Sequence, residues 1–257
     1  MKKLLTVLII GFIVAGCGTP SGLANNDKDK KISGENSMKK DYSSMAAVEL
    51  SSSVNIVNTM TGADTPTDEA SKKVTDISAV TVTITDTKGK EINTVVLSKD
   101  DPGNKGEIAR FTGGFVGVPV GSVTIKYLFS DSAKNKLFES EQKAELTAKT
   151  IFKVKGDVNQ VSIKREPQSE GELKVSIEKM DEKSYTSGQV LLGVKDKMSE
   201  ADLKSLFEKN GITVTSVKVG IISSSVSFSA PSVAEALIIT SSLNKFDYVE
   251  PNYIASL

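Results

Sequence analysis

Apolar and polar positions alternate with period two through the middle of the chain. Val80-Thr-Val-Thr-Ile-Thr85 sets an apolar residue at every second position, as a strand with one buried face requires. Asp86-Thr-Lys-Gly89 reads as a turn, and Ile92 to Leu97 as the returning strand. Glu107 to Thr112, Val123 to Phe129, Leu137 to Leu146, Thr150 to Val154 and Val158 to Ile163 follow, with turn residues between them. Short strands at this spacing predict a β-sandwich over residues 72–180. Glu172 to Ile177 reads as a last sandwich strand or an ordered connector, with the domain boundary at Met180 to Thr186.

The period changes after that boundary. Gly188 to Lys195 is a short apolar run, a strand by length. Ser199-Glu-Ala-Asp202 has the spacing of a capping box, with Leu203, Leu206 and Phe207 at helical intervals behind it. Asn210-Gly211 is a helix stop. Ile212 to Val219 reads as a second strand. Ile222, Val226 and Phe228, alternating with serines, read as a third. A second capping box at Pro231-Ser-Val-Ala-Glu235 opens a helix that turns Val233, Leu237 and Leu243 inward, and Asp247 to Ile254 is the last strand. The order β-α-β-β-α-β over residues 184–257 is that of the ferredoxin-like fold. The predicted class is thus mainly β plus α+β: an Ig-like or prealbumin-like sandwich followed by a ferredoxin-like domain.

The first residues have a different character. Met1-Lys2-Lys3 is a basic n-region and Leu4 to Val14 an apolar run too short to span a bilayer, so residues 1–16 read as an export signal. Val14-Ala15-Gly16-Cys17 resembles a bacterial lipobox. That resemblance implies cleavage between Gly16 and Cys17, with a diacylglycerol on the Cys17 sulfur inserted in the bilayer. The expected place is the cell envelope, facing away from the cytoplasm. An ordinary secretory signal would share the first two regions; Cys17, the one cysteine of the chain, stands where lipidation needs it. Residues 17–71 are rich in Ser, Asn, Lys, Thr and Gly and carry the mixed charge run Asn25 to Lys31, so they read as a flexible tether. Within it, Ala46 to Val57 is apolar enough for one helical or strand segment.

Charge and composition then narrow the chemistry. The sequence has 32 basic and 32 acidic residues, and loss of the signal leaves 30 against 32. No basic excess points to nucleic acid. The chain has no histidine, which excludes Ser-His-Asp and Cys-His catalysis and the histidine zinc sites. Ser37-Met-Lys-Lys40 and Ser242-Leu-Asn-Lys245 have Ser-x-x-Lys spacing without companion motifs. Asp100 to Glu107 offers oxygen ligands in a turn but not the EF-hand spacing, and reads as a solvated hairpin turn. Gly113, Gly114 and Gly117 read as bends, and Glu139 and Glu141 as one wet strand face. No active site, metal or cofactor is expected.

Two resemblances complete the reading. Phe115-Val-Gly-Val-Pro-Val-Gly121 followed by Val123-Thr-Ile-Lys-Tyr127 resembles the Pro-x-Gly turn and late strand of prealbumin-like and carboxypeptidase-regulatory-like Ig-type domains. Such domains commonly serve as stalks. Gly188-Gln-Val-Leu191, Ser199 to Phe207 and Tyr248-Val-Glu-Pro-Asn-Tyr-Ile254 resemble the inhibitor-type propeptides of subtilisin-like serine proteases. That resemblance implies a module that chaperones or inhibits a protease by laying its sheet on the enzyme. Its C-terminal segment, Val249, Glu250, Pro251, Asn252, Tyr253, Ile254, Ala255, Ser256 and Leu257, would run through the substrate cleft, with Asn252 to Leu257 as the inserted part. No protease domain follows in this sequence, so the expected partner is a subtilisin-like protease met in trans. Two departures go with this: the missing protease domain, and a third strand that puts Ser223, Ser225, Ser227 and Ser229 on one face. The other reading is a non-enzymatic structural or adhesive surface lipoprotein acting through its sandwich.

Overall fold

The first strand of the fold lies where a tether was expected. A computed structural model describes residues 41–58, 73–104, 106–163, 166–167, 170–194, 198–220, 224–230 and 232–254. The export signal with Gly16 and Cys17, the rest of the tether, Ile222, Ser223, Pro231 and Ala255 to Leu257 lie outside these residues. Met45–Asn58 is β1, and it runs through the centre of a sheet. Its even positions, Ala46, Val48, Leu50, Val54 and Ile56, are buried in the sandwich core. The run Ser51 to Ser53 and Asn55 dilute the composition, but the period of two survives, and period decides the pairing. The sandwich therefore begins at Met45, not at 72.

Its remaining strands are β2 (Ala79–Asp86), β3 (Glu91–Val96), β4 (Ser98–Asp100), β5 (Glu107–Pro119), β6 (Gly121–Ser130), β7 (Lys136–Leu146), β8 (Ile151–Ile163), β9 (Glu166–Pro167) and β10 (Glu172–Lys179). One sheet has the order β10-β8-β1-β5-β4, with β9 paired to β8; the other has the order β3-β2-β6-β7. β1 and β8 are parallel, whereas the other ladders of both sheets are antiparallel. The two sheets share one core, in which Val48, Leu50, Phe111 and Val154 meet Val82, Ile84, Ile125 and Phe129. Glu172–Lys179 is a sandwich strand, the edge beside β8. Pro119-Val120-Gly121 turns the chain from the first sheet into the second, with Gly121 at φ 113.

Two glycine readings change. Lys155-Gly156-Asp157 does not separate two strands; β8 runs unbroken through it. Gly113 is the extra residue of a bulge inside β5, since Leu50 pairs with Gly114 and Ser51 with Thr112, and Gly114 takes φ 64.

The C-terminal part consists of β11 (Tyr185–Val194), α1 (Glu200–Lys209), β12 (Thr213–Val219), β13 (Ser224–Ala230), α2 (Val233–Ser242) and β14 (Phe246–Tyr253). Its antiparallel sheet has the order β12-β13-β11-β14. Ser199 caps α1 in a capping box with Asp202, and Ser232 caps α2 by accepting from the Glu235 amide. Asn210 and Gly211, at φ 88, end α1.

α2 shows why this part does not stand alone. Val233, Ala234, Ala236, Leu237, Ile238, Ile239 and Thr240 are all buried, on every side of the helix. A helix that is apolar all round lies between two layers. One layer is its own sheet; the other is the outer face of the sandwich, which adds Ala47, Phe115 and Ile151 to the same core. A Cβ on Gly117 would stand 3.0 Å from Ile238 Cγ2, so the glycine lets the helix approach β5. Met180, expected at a boundary, is buried in this core, and its amide donates to the Ile151 carbonyl at 2.9 Å. Residues 39–257 therefore form one unit.

Candidate functional site

Helices α1 and α2 cover one face of the C-terminal sheet. Val190, Leu192, Val226 and Phe228 point to them and are buried. Strand alternation sends Gln189, Leu191, Ser225 and Ser227 to the opposite face, where all four are partly exposed. Leu191 pairs with Ser225 on one side and Glu250 on the other, so it is central to this face. Asn252 Nδ2 donates to Gln189 Oε1 at 2.6 Å and ties β14 to β11 there. On this face Ser225 and Ser227 lie beside Leu191 and Gln189, with Glu250 on the other side of Leu191. Ser224 is buried, and Ser223 lies outside the described residues.

β14 is the edge strand, and it carries the segment singled out above. Val249, Glu250 and Pro251 pair with Leu192, Leu191 and Val190, and Tyr253 pairs with Tyr185. The Ile254 amide donates to the Ser184 carbonyl at 2.9 Å, while its side chain is 54 % exposed. Asn252 and Tyr253 were expected to leave the module as an inserted tail; they belong to the sheet instead. The physical reason is that the ladder resumes at Tyr185 after an irregularity around Gly188, which takes φ 70. Ala255, Ser256 and Leu257 lie outside the described residues.

The end of β14 also meets the sandwich. Lys153 Nζ of β8 lies 4.6 Å from the centroid of the Tyr253 ring. Its other neighbour is Glu49 of β1, with Nζ 4.0 Å from Oε2. Glu49 and Lys153 are register partners, each side chain about a third exposed at 32 %. Burial raises the Glu49 carboxyl above its ordinary range, against the pull of Lys153; Glu250 raises it further. Burial works to lower the Lys153 ammonium, but the Tyr253 hydroxyl and Glu49 outweigh it and leave it raised. Burial likewise raises the Tyr253 hydroxyl. Sequence reasoning missed Glu49 and Lys153. The period-two pattern of Ala46 to Ile56 was the signal for the first; nothing local marks the second.

The acidic turn at Asp100 to Glu107 is a braced loop. Glu107 is 3 % exposed, accepts the amides of Gly103 and Asn104 at 2.6 and 3.1 Å, and pairs with Arg110 at 3.0 Å. Among the described residues no group of three or more His, Cys, Asp or Glu side chains is placed to hold a metal. No helix of the described residues is long and apolar enough to cross a membrane.

Comparison with known proteins adds three findings. No curated protein matches the chain. Among solved structures, a leucine-rich repeat protein from Bacteroides thetaiotaomicron VPI-5482 matches at 11 % identity and a TM-score of 0.23. That match spans 71 % of this chain and only 20 % of the other, a likeness too low to assign a fold. Residues 173–252, from β10 to Asn252 of β14, match the family model of the fervidolysin N-terminal prodomain. The C-terminal part of the chain is thus similar to a prodomain.

Proposed function

We propose that the chain is a non-enzymatic, lipid-anchored protein of the cell envelope. Its C-terminal module, a ferredoxin-like unit seated on an Ig-type sandwich, binds a subtilisin-like serine protease in trans and inhibits or chaperones it. The observation that carries this reading is the prodomain match of residues 173–252, on a module whose helix-free sheet face is left open. In this mechanism the face around Leu191, Ser225 and Ser227 lies on the enzyme. Val249 to Pro251, paired to β11, hold the approach extended, and the segment past Ile254, Ala255 to Leu257, enters the cleft as an added strand. Holding the approach extended before contact reduces the ordering cost of binding. Cys17 carries the lipid, and the anchored chain presents the module away from the cytoplasm.

The test titrates the chain without its signal, residues 17–257 with Cys17→Ser, against subtilisin-type proteases and a chromogenic peptide. Saturable inhibition by intact protein supports the reading. Cleavage of the module without inhibition rejects it. Incorporation of labelled fatty acid into the full-length chain, lost in Cys17→Ser, tests the anchor separately.

A further inference from the structure

The sandwich does more than carry the module. We infer that Lys153 is a positioning residue for the C-terminal strand, a cation on the sandwich that holds Tyr253 and so fixes where the chain leaves the sheet. The functional half of this inference rests on the protease-directed reading; the positional half rests on geometry alone.

The end of β14 has little else to hold it. Among the described residues β14 is an edge strand, paired with β11. Between Pro251 and Tyr253 that ladder breaks: the partners jump from Val190 to Tyr185. Across the break stands the Asn252–Gln189 side-chain bond, and past it the Tyr185 pairing and the amide bond from Ile254 to Ser184. Strand ends with so few bonds open easily. The Tyr253 ring is caught from the other side by Lys153, at 4.6 Å. Lys153 sits on β8, flanked by β1 and β10, with Glu49 and Glu178 as its register partners on either side. Glu49 Oε2 is buried, with no hydrogen bond of its own, and faces the ammonium at 4.0 Å. A carboxylate on one strand, a cation on the next and an aromatic ring on the module thus form one stack across the seam. Its base is a central strand, the kind of rigid element that fixes a geometry.

The test uses residues 17–257 with Cys17→Ser and reads hydrogen exchange at the Ile254 amide. Lys153→Met keeps the stem and removes the charge; it is expected to speed exchange at Ile254 roughly tenfold, while amides of β6 stay protected. Lys153→Arg, which keeps a cation over the ring, is expected to restore protection. Because Lys153→Met strands the Glu49 carboxylate, the double variant Glu49→Gln/Lys153→Met removes both charges together and should give the same acceleration. Unchanged exchange at Ile254 in both charge-removing proteins overturns the inference, as does equal acceleration by Lys153→Arg. Protease inhibition is read in parallel and should weaken with Lys153→Met. Faster exchange with no inhibition by any protein, the wild type included, leaves the clamp standing and removes the protease reading.

Discussion

The ring of Tyr127 occupies the space that a side chain at position 156 would need. A Cβ built on Gly156 would stand 2.7 Å from Tyr127 Cγ, inside contact distance. The tyrosine crosses from the second sheet to the first, and its hydroxyl donates to the Val154 carbonyl at 2.9 Å, with the Ser51 carbonyl at 3.1 Å. Burial drives the phenol far above its ordinary pKa, so it remains a donor at any physiological pH. Gly156→Ala must push the ring aside, and overpacking of this kind costs roughly 1–3 kcal/mol. Tyr127→Phe keeps the ring and leaves strand carbonyls without their donor, at roughly 1–2 kcal/mol. Denaturant unfolding of both variants checks the pair. A Gly156→Ala protein as stable as wild type would show that the ring has room to move.

The seam between sandwich and module depends on Gly117. A Cβ there meets Ile238 Cγ2 at 3.0 Å and Met45 Sδ at 3.1 Å, and a larger side chain cannot fit without moving α2. Gly117→Val is expected to lift the helix and expose Phe115 and Ile151. Because sandwich and module share this core, the wild type is expected to unfold in one thermal transition, which should then separate into two. Limited proteolysis should newly cut near Glu182–Ser184. One unchanged transition would mean that the seam is not rigidly packed.

Most strands of the described residues and the two helices of the C-terminal part were legible in the sequence because their signals are local. Val80 to Thr85 alternates, Ser199 and Asp202 close a capping box, and Gly211 takes the positive φ that its position after a helix requires. What was not legible is what depends on distant partners. Ser51 to Ser53 made β1 look like tether, although Ser52 lies in the core and Ser53 hydrogen-bonds Asp157 of β8. Gly156 looked like a break because the ring that needs it comes from Tyr127. Of the candidate site, the Tyr248 to Ile254 string was visible, but its pairing to Tyr185 and the cation under Tyr253 were not. Lys153 alternates with apolar neighbours like any wet strand residue, and only the placement of the module turns it inward.

Glu107 braces the β4–β5 loop. Burial opposes its charge, yet the Gly103 and Asn104 amides and the Arg110 guanidinium outweigh burial and hold the carboxyl below its ordinary range. A depressed folded pKa gives stability that is present above the unfolded value of about 4.5 and lost as pH falls through the folded one. Glu107→Ala removes these acceptor bonds and should cost roughly 1–3 kcal/mol at neutral pH, discounted because the Arg110 side chain is about a third exposed. The deficit should shrink in acid. Urea titrations at neutral and low pH compare the two; a deficit that grows in acid contradicts the assignment.

The open sheet face offers a direct probe of the proposed protease binding. Leu191 is at its centre, between Ser225 and Glu250, so Leu191→Arg puts a long charged chain in the middle of any contact. Central positions dominate interface energies, and inhibition should weaken by roughly tenfold or more. The substitution is on the face away from the core, so stability should change by no more than about 0.5 kcal/mol. Inhibition constants and melting temperatures measured on the same samples separate these effects. Full inhibition by a stable Leu191→Arg protein would move the contact off this face.

Glu49 should leave its mark on the pH dependence of stability, with the opposite sign to Glu107. Its carboxyl is raised, first by burial, with Glu250 adding to it and Lys153 only partly offsetting it. A raised carboxyl binds its proton more tightly when folded. Its stabilising share is therefore complete below the unfolded value of about 4.5 and is lost as pH rises through the folded pKa. Lys153 and Tyr253, both raised from higher ordinary values, do not titrate in that window. Glu49→Gln abolishes the effect and adds only an offset from the lost partner of Lys153. The melting temperature of Glu49→Gln minus that of wild type should thus climb from pH 4 toward neutrality and then level off, modestly, because the pair is a third exposed and screened by salt. Thermal melts of both proteins across that range decide it. A flat or falling difference would mean that Lys153 compensates the buried charge in full.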